Sequence, residues 1–216
     1  MKIGIIGATG KAGSALYERA VERGHEAVAI VRDPAKAREM LGTDVRVIER
    51  DVFAITGGDL TGLDAVVNAF GTTPDLAHQH VELAQHLVEQ TAGIEEAEQP
   101  RLAFVLGAGS LITGEDQHLF VEDIRQVPGA EAWVAIPENQ LKQLEYLRTV
   151  GGVEWVGASP QATFAPGPAT VPVIGDELLV ASDGQSHTTT GTMAVALLDE
   201  IENPQHRNRR IAVGDA

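Results

Sequence analysis

Apolar and polar positions along this chain fall into a repeating cycle of short apolar runs separated by longer amphipathic stretches. The runs 2–7, 26–32, 44–49, 64–69, 101–107 and 153–158 are rich in β-branched residues and apolar at successive positions. That pattern predicts six strands of a parallel sheet buried on both faces. Helices are predicted over 11–23, 34–41, 74–92, 137–150 and 188–202. The first sets Ala15, Leu16, Ala20 and Val21 on one face and stops at Arg23-Gly24. The third opens on Pro74-Asp75 and turns Leu76, Val81, Leu83, Ala84, Leu87 and Val88 inward. Residues 53–62 are glycine-rich and allow at most a short helix. The alternation specifies an α/β chain, doubly wound, with helices on both faces of a mostly parallel sheet.

Two stretches break the cycle. Residues 108–130 form a long connection after the fifth strand, and 159–187 contain Pro160, Pro166, Pro168 and Pro172 with little helical period. Long irregular segments in a folded domain commonly serve binding. Both leave carboxyl ends of strands, where open α/β sheets hold ligands. No internal repeat or low-complexity linker divides the chain, so 1–216 is read as one domain whose two long loops supply the substrate side.

The first strand ends in Gly7-Ala8-Thr9-Gly10-Lys11-Ala12-Gly13, and a helix follows at once. Strand, glycine turn and helix together form a seat for a dinucleotide pyrophosphate, making the fold Rossmann-type. Gly7 lets the chain turn tightly, Gly10 lets backbone approach phosphate, and Gly13 lets helix and sheet pack closely. The free N–H groups of the helix start face the anion.

Composition narrows the partners. The 216 residues are 44% hydrophobic, with 16 basic and 31 acidic residues and a net charge of −15. Such a field repels nucleic acid and anionic membranes, so neither is an expected partner. The absence of cysteine excludes disulfides, thiolate metal sites and cysteine nucleophiles. No signal-peptide pattern or membrane-length apolar run is visible, and a cytoplasmic monomer or homodimer is expected.

Several blocks carry a resemblance. The glycine turn, Arg23-Gly24-His25-Glu26, Val31-Arg32-Asp33-Pro34-Ala35-Lys36, Asp51-Val52-Phe53 and Asp64-Ala65-Val66-Val67-Asn68-Ala69-Phe70-Gly71 are followed by Gly107-Ala108-Gly109-Ser110-Leu111. Near the end stand Trp155-Val156-Gly157-Ala158-Ser159-Pro160, Asp183-Gly184-Gln185-Ser186-His187 and Ala194–Pro204. Together they resemble the atypical short-chain dehydrogenases of the NAD(P)H-binding, NmrA-like group, above all proteins described as NADH-flavin reductases. The resemblance implies an NAD(P)H-dependent oxidoreductase passing hydride to a flavin- or quinone-like acceptor, with flavin a substrate rather than a bound group. It also implies that Asp51 and Val52 lie near the adenine and that Asn68, Ala69, Phe70 and Gly71 line the nucleotide. Residues at the Pro160-Gln161 position wall the nicotinamide pocket in such folds, and one flavin-reducing branch has histidine about where Gln161 stands. A non-catalytic NADP(H)-sensing protein is the alternative.

Cofactor choice turns on the end of the second strand. An acid there selects NAD by binding the ribose 2′-OH, whereas arginine accommodates the 2′-phosphate of NADP. Arg32 follows Ile30-Val31, with Lys11, Lys36 and Arg38 nearby. Asp33 lies where an NAD-selecting acid would, but Asp-Pro is a standard helix start that makes it an N-cap. NADP is therefore expected, with NAD the alternative. Asp51 is read either as an adenine neighbour or as a turn residue.

The proton donor is conspicuous by omission. Ordinary short-chain dehydrogenases use tyrosine with a lysine four residues later; here Val21 and Val150 stand four after Tyr17 and Tyr146. Ser110, after Gly107, is the best remaining polar candidate, as a substrate or nicotinamide contact or as a turn cap. His118 could donate a proton from its loop. His78, His80 and His86 are expected on a solvated helix face, not as metal ligands, and no metal site is expected. Thr188, Thr189 and Thr190 are candidates to cap the last helix.

Overall fold

The computed structural model describes residues 1–181 and 183–216. In chain order the elements are β1 (Lys2–Ile6), α1 (Lys11–Glu22), β2 (Glu26–Val31), α2 (Pro34–Leu41), β3 (Arg46–Glu49), α3 (Gly57–Leu60) and β4 (Ala65–Asn68). Then come α4 (Gln79–Ala92), β5 (Arg101–Val105), β6 (Ile112–Thr113), β7 (His118–Leu119), α5 (Phe120–Gln126), α6 (Ala135–Leu147) and β8 (Trp155–Pro160). The chain closes with β9 (Thr163–Ala165), β10 (Val173–Gly175), β11 (His187–Thr189), α7 (Thr190–Glu202) and β12 (Arg209–Gly214).

Eight strands form one sheet in the order β10-β12-β8-β5-β4-β1-β2-β3. All neighbours run parallel except β10 against β12. The order reverses between β1 and β4, the switch point at which a doubly wound sheet opens a crevice. This is the Rossmann-type α/β fold expected from the strand–helix alternation.

Period-two alternation along buried strands makes two cores. Ile3 and Ile5 of β1 pack with Leu16 and Ala20 of α1 and with Met193 and Leu197 of α7. Ile6 points to the opposite face, where Leu83 and Leu87 of α4, Leu144 and Leu147 of α6 and Trp155 fill the second core. Val21 and Leu76, expected on inward faces, are instead 50% and 40% exposed. Val21 lies at the last turn of α1, beyond the sheet, and Leu76 lies in a separate 3₁₀ turn, Pro74–Leu76, that precedes α4.

Three expectations are corrected and one strand is added. The 74–92 helix begins only at Gln79, because the Pro74 turn closes on its own. The 188–202 helix begins at Thr190, since 187–189 pair with β9 as a strand. Thr189 caps that helix by accepting the Thr192 N–H at 3.1 Å. The 108–130 connection is structured, containing the β6–β7 hairpin and α5, and 159–187 contains three short strands. Finally, β12 pairs in parallel with β8, Arg210 beside Gly157. Its Arg209-Arg210 opening hid it from a hydrophobic reading.

Candidate active site

The β1–α1 turn closes the switch-point crevice on one side. Gly7 sits at φ +72°, and a Cβ there would stand 2.6 Å from the Ala69 carbonyl oxygen. The Gly10 N–H donates to the Gly7 carbonyl at 2.8 Å. A Cβ on Gly13 would lie 2.1 Å from that same carbonyl oxygen, so all three glycines serve one tight approach. The opposite wall is Asn68 to Gly71. Asn68 is buried, its Oδ1 accepting the Phe70 N–H at 3.0 Å, and the Ala69 N–H donates to Ile6 at 3.1 Å.

The start of α1 is bare. Gly10 is the N-cap, no side chain caps it, and no acidic residue occupies its first turn. Among the described residues the N–H groups of Lys11, Ala12 and Gly13 have no protein partner. A chain with 31 carboxylates leaves this positive end uncovered.

Four cations lie on α1 itself and on the β2–α2 segment. Lys11 opens α1, Arg32 follows β2, and Lys36 and Arg38 lie on α2. Among the described residues none of the four comes within 4.0 Å of a carboxylate, whereas most other lysines and arginines are ion-paired. Asp33 is engaged as a cap: its Oδ1 accepts the Lys36 N–H at 3.0 Å. Arg32 is exposed and unpaired. Asp51 also holds a turn, accepting the Phe53 N–H at 3.0 Å ahead of Val52, and leaves its second oxygen uncommitted.

Phe53 meets Phe70 edge-to-face at 6.2 Å, and Phe70 meets His80 at 5.6 Å. This overturns the expectation of a solvated histidine face. His80 is 3% exposed, with its Nε2 unpartnered, and burial pushes its pKa down to about 4. His86 is half-buried with Nε2 2.7 Å from the Ile55 carbonyl oxygen. Only His78 stays exposed. The cause is helical period, since 80 shares the inward face with Ala84 and Leu87.

On the far side of the crevice, Gly107 leads into the 3₁₀ turn Ala108–Ser110. A Cβ on Gly107 would meet Gln140 Oε1 at 2.3 Å, so α6 lies directly on this turn. Ser110 is 3% exposed; its Oγ is 3.3 Å from the Gly107 carbonyl oxygen and 3.0 Å from Ser159 Oγ. Pro160 ends β8, and Gln161 turns inward, its Oε1 accepting the Leu179 N–H at 2.7 Å. His118 sits on the β6–β7 hairpin between Asp116 at 2.6 Å and Asp123 at 3.0 Å. Those carboxylates, Asp116 above all, raise its pKa.

Sequence reasoning brought together the glycine turn, Asn68 to Gly71, and the Ser110–Pro160 region. It missed Ser159, Gln140 and Arg210, since nothing in a sequence marks an arginine that folds inward from a strand. Tyr17 lines a concavity of about 610 Å³ at the opposite, amino-terminal edge of the sheet. Tyr146 lies in the last turn of α6, which leads down to the start of β8, and burial raises its pKa. Among the described residues no three His, Asp or Glu side chains gather as a metal site, and no helix is long and apolar enough to cross a membrane.

Comparison with known proteins agrees with this geometry. Residues 7–204 match the family model described as NAD(P)H-binding. A Bacillus subtilis relative, the uncharacterized protein YwnB, is 38% identical over 99% of this chain and 98% of its own. A Lactobacillus casei protein of solved structure is 39% identical over the full length of both chains, with a TM-score of 0.92. A Streptococcus pneumoniae protein, described as a candidate NADH-flavin reductase, is 33% identical over both full chains, with a TM-score of 0.87. On the glycine cradle, the bare helix start and these matches, the chain belongs to the NAD(P)H-binding family.

Proposed function

We propose that the protein is an NADPH-dependent reductase of a flat conjugated acceptor, a flavin or quinone taken as a passing substrate. The observation that carries this reading is the uncapped start of α1 in a strongly acidic chain, with four cations on α1 and the β2–α2 segment that are not ion-paired among the described residues. The cradle fits a diphosphate, because Gly7 and Gly13 let the turn close tightly against Ala69 and the start of α1, and the first N–H groups of that helix stay unpartnered. The N–H groups of Lys11, Ala12 and Gly13 would bind the pyrophosphate, with Ala8, Thr9 and Gly10 around it. Arg32 and Lys36 would hold a 2′-phosphate, since Asp33 is committed to its helix. Asp51 and Val52 would border the adenine, Asn68 to Gly71 the ribose side, and Gly107, Ser110 and Pro160 the nicotinamide.

When bound, NADPH supplies a hydride at its nicotinamide ring. The chain's part is orientation and exclusion of water at the Ser110 turn, with His118 as the available proton source from the neighbouring hairpin. Flavins and quinones can take the accompanying proton from water or a weak donor. That requirement agrees with a chain in which neither tyrosine is followed four residues later by lysine. The similarity to the Streptococcus pneumoniae protein supports the same chemistry.

The test is loss of NADPH absorbance with FMN, FAD and small quinones supplied in turn. Oxidation with at least one acceptor is expected. Tight NADPH binding with no oxidation across the panel overturns the reductase reading and leaves a nucleotide-sensing protein. Within the same assay series, Arg32→Ala should weaken NADPH binding about tenfold and NADH binding less than about twofold, the difference a lost phosphate fork makes. Equal losses for both cofactors would reassign the 2′-phosphate contact.

A further inference from the structure

We propose that Arg210 is a positioning residue that joins the two long loops on the acceptor side and thereby sets the turn bearing Ser110. Arg210 lies on β12 and is 6% exposed. Its Nη2 donates to the Ser110 carbonyl at 3.0 Å and its Nη1 to the Asp176 carbonyl at 2.9 Å. The first acceptor belongs to the connection leaving β5, the second to the connection leaving β8. These connections also touch directly. The Leu178 N–H donates to the Ile112 carbonyl at 2.8 Å, and Ile112 bridges Glu177 in parallel. One inward side chain therefore fixes both loops in a single geometry.

The chemistry of the burial favours a positioning task over simple packing. Among the described residues Asp176 is the carboxylate within 4.0 Å, with Oδ1 at 3.8 Å, half exposed and shared with Arg209 at 3.3 Å. The short contacts of the guanidinium are thus to neutral carbonyls, and its Nε has no partner. Burying a cation on those terms is costly, and an apolar side chain of similar volume fills such a place more stably. An apolar side chain cannot, however, hold two carbonyls from different segments at once. The planar fork of arginine can, and lysine's single ammonium cannot reproduce it. Ser110 then receives its backbone from Arg210 and its hydroxyl from Ser159 on β8.

This inference rests on the proposed function only in naming the acceptor as the group these loops position. Amide hydrogen exchange on the full-length protein tests it, comparing wild type with Arg210→Lys and Arg210→Met, each saturated with NADP⁺. Exchange in peptides covering 108–113 and 174–178 should rise together by about tenfold or more in both variants, as expected when charge-assisted bonds to both segments are lost. Exchange in α1, which Arg210 does not touch, should stay within about twofold. A rise in one segment alone, or none, overturns the proposal. So does a uniform rise through α1 and the sheet, which would make Arg210 a fold-stabilising residue. Where wild type turns over an acceptor, the acceptor KM should rise in both variants. Should wild type oxidise no acceptor, the proposed function falls, and the exchange result still decides the role of Arg210.

Discussion

His80 shows how a single side chain can carry a pH dependence for the fold. Its imidazole is buried against Phe70 with Nε2 unpartnered, and its pKa falls from 6.5 to about 4. Between those values the unfolded chain binds a proton that the folded chain refuses, so stability declines as pH drops through the window. A shift of that size corresponds to roughly 3 kcal/mol lost across it. His80→Leu keeps an apolar filling and removes the titration. Thermal melts from about pH 7 to about pH 4 should therefore show wild type falling more steeply than the variant. His118 and His187, whose pKa values are raised by carboxylate partners, are common to both proteins and cancel in the comparison. Parallel curves would show that His80 finds a partner or water in solution. The inward position was legible from helical period, because 80 precedes Ala84 by one turn. It was misjudged because histidine is usually a surface residue.

Local elements differ in how openly they announce themselves. Asp33 as a cap, Thr189 as a cap and the glycine turn were each readable, because the chemistry is confined to a few consecutive residues. Strand β12 was not, since its two arginines mask a run whose partner, β8, is distant in sequence. The β6–β7 hairpin and α5 were hidden for a related reason: two-residue strands carry too little period to register, and His118 finds its carboxylates only after folding. Ser110 was correctly placed after the fifth strand, yet its inward hydroxyl contact with Ser159 depends on register between β5 and β8. Within the legible part, Gly13 makes a sharp prediction. An alanine methyl would meet Gly7 O at 2.1 Å, Gly7 C at 2.6 Å and Ala8 Cα at 2.9 Å, all backbone that cannot swing aside. Gly13→Ala should cost about 1–3 kcal/mol by overpacking and weaken NADPH at least about tenfold. Gly24→Ala is the matched control, because φ is +80° there but nothing lies within 4 Å. It should strain the backbone by about 1–2 kcal/mol and leave NADPH affinity unchanged, as isothermal titration can establish.

The distribution of charge over the fold decides how nucleotide binding should register in global stability. A net charge of −15 disfavours any polyphosphate approaching at random, so binding must come from one electropositive place. That place joins two layers, because α1 packs on α7 while its N-terminus abuts the β4 wall through Gly7 and Ala69. A ligand seated there contacts the folded chain and has no counterpart site in the unfolded one. NADPH at a hundred times its dissociation constant should then add about 2.7 kcal/mol of stability. For a chain of this length that raises Tm by about 5–10 °C. Thermal melts with NADPH, with an equal concentration of inorganic pyrophosphate, and with salt at matched ionic strength separate site binding from screening. Pyrophosphate should give a smaller rise than NADPH, and salt alone should not reproduce either. Gly13→Ala should cut the NADPH shift by about half or more and Arg32→Ala by about half, because the first displaces the Gly7-Ala8 backbone of the cradle and the second removes one cation beside the 2′-phosphate. An undiminished shift in Gly13→Ala would place the nucleotide elsewhere and detach the cofactor from the switch-point crevice.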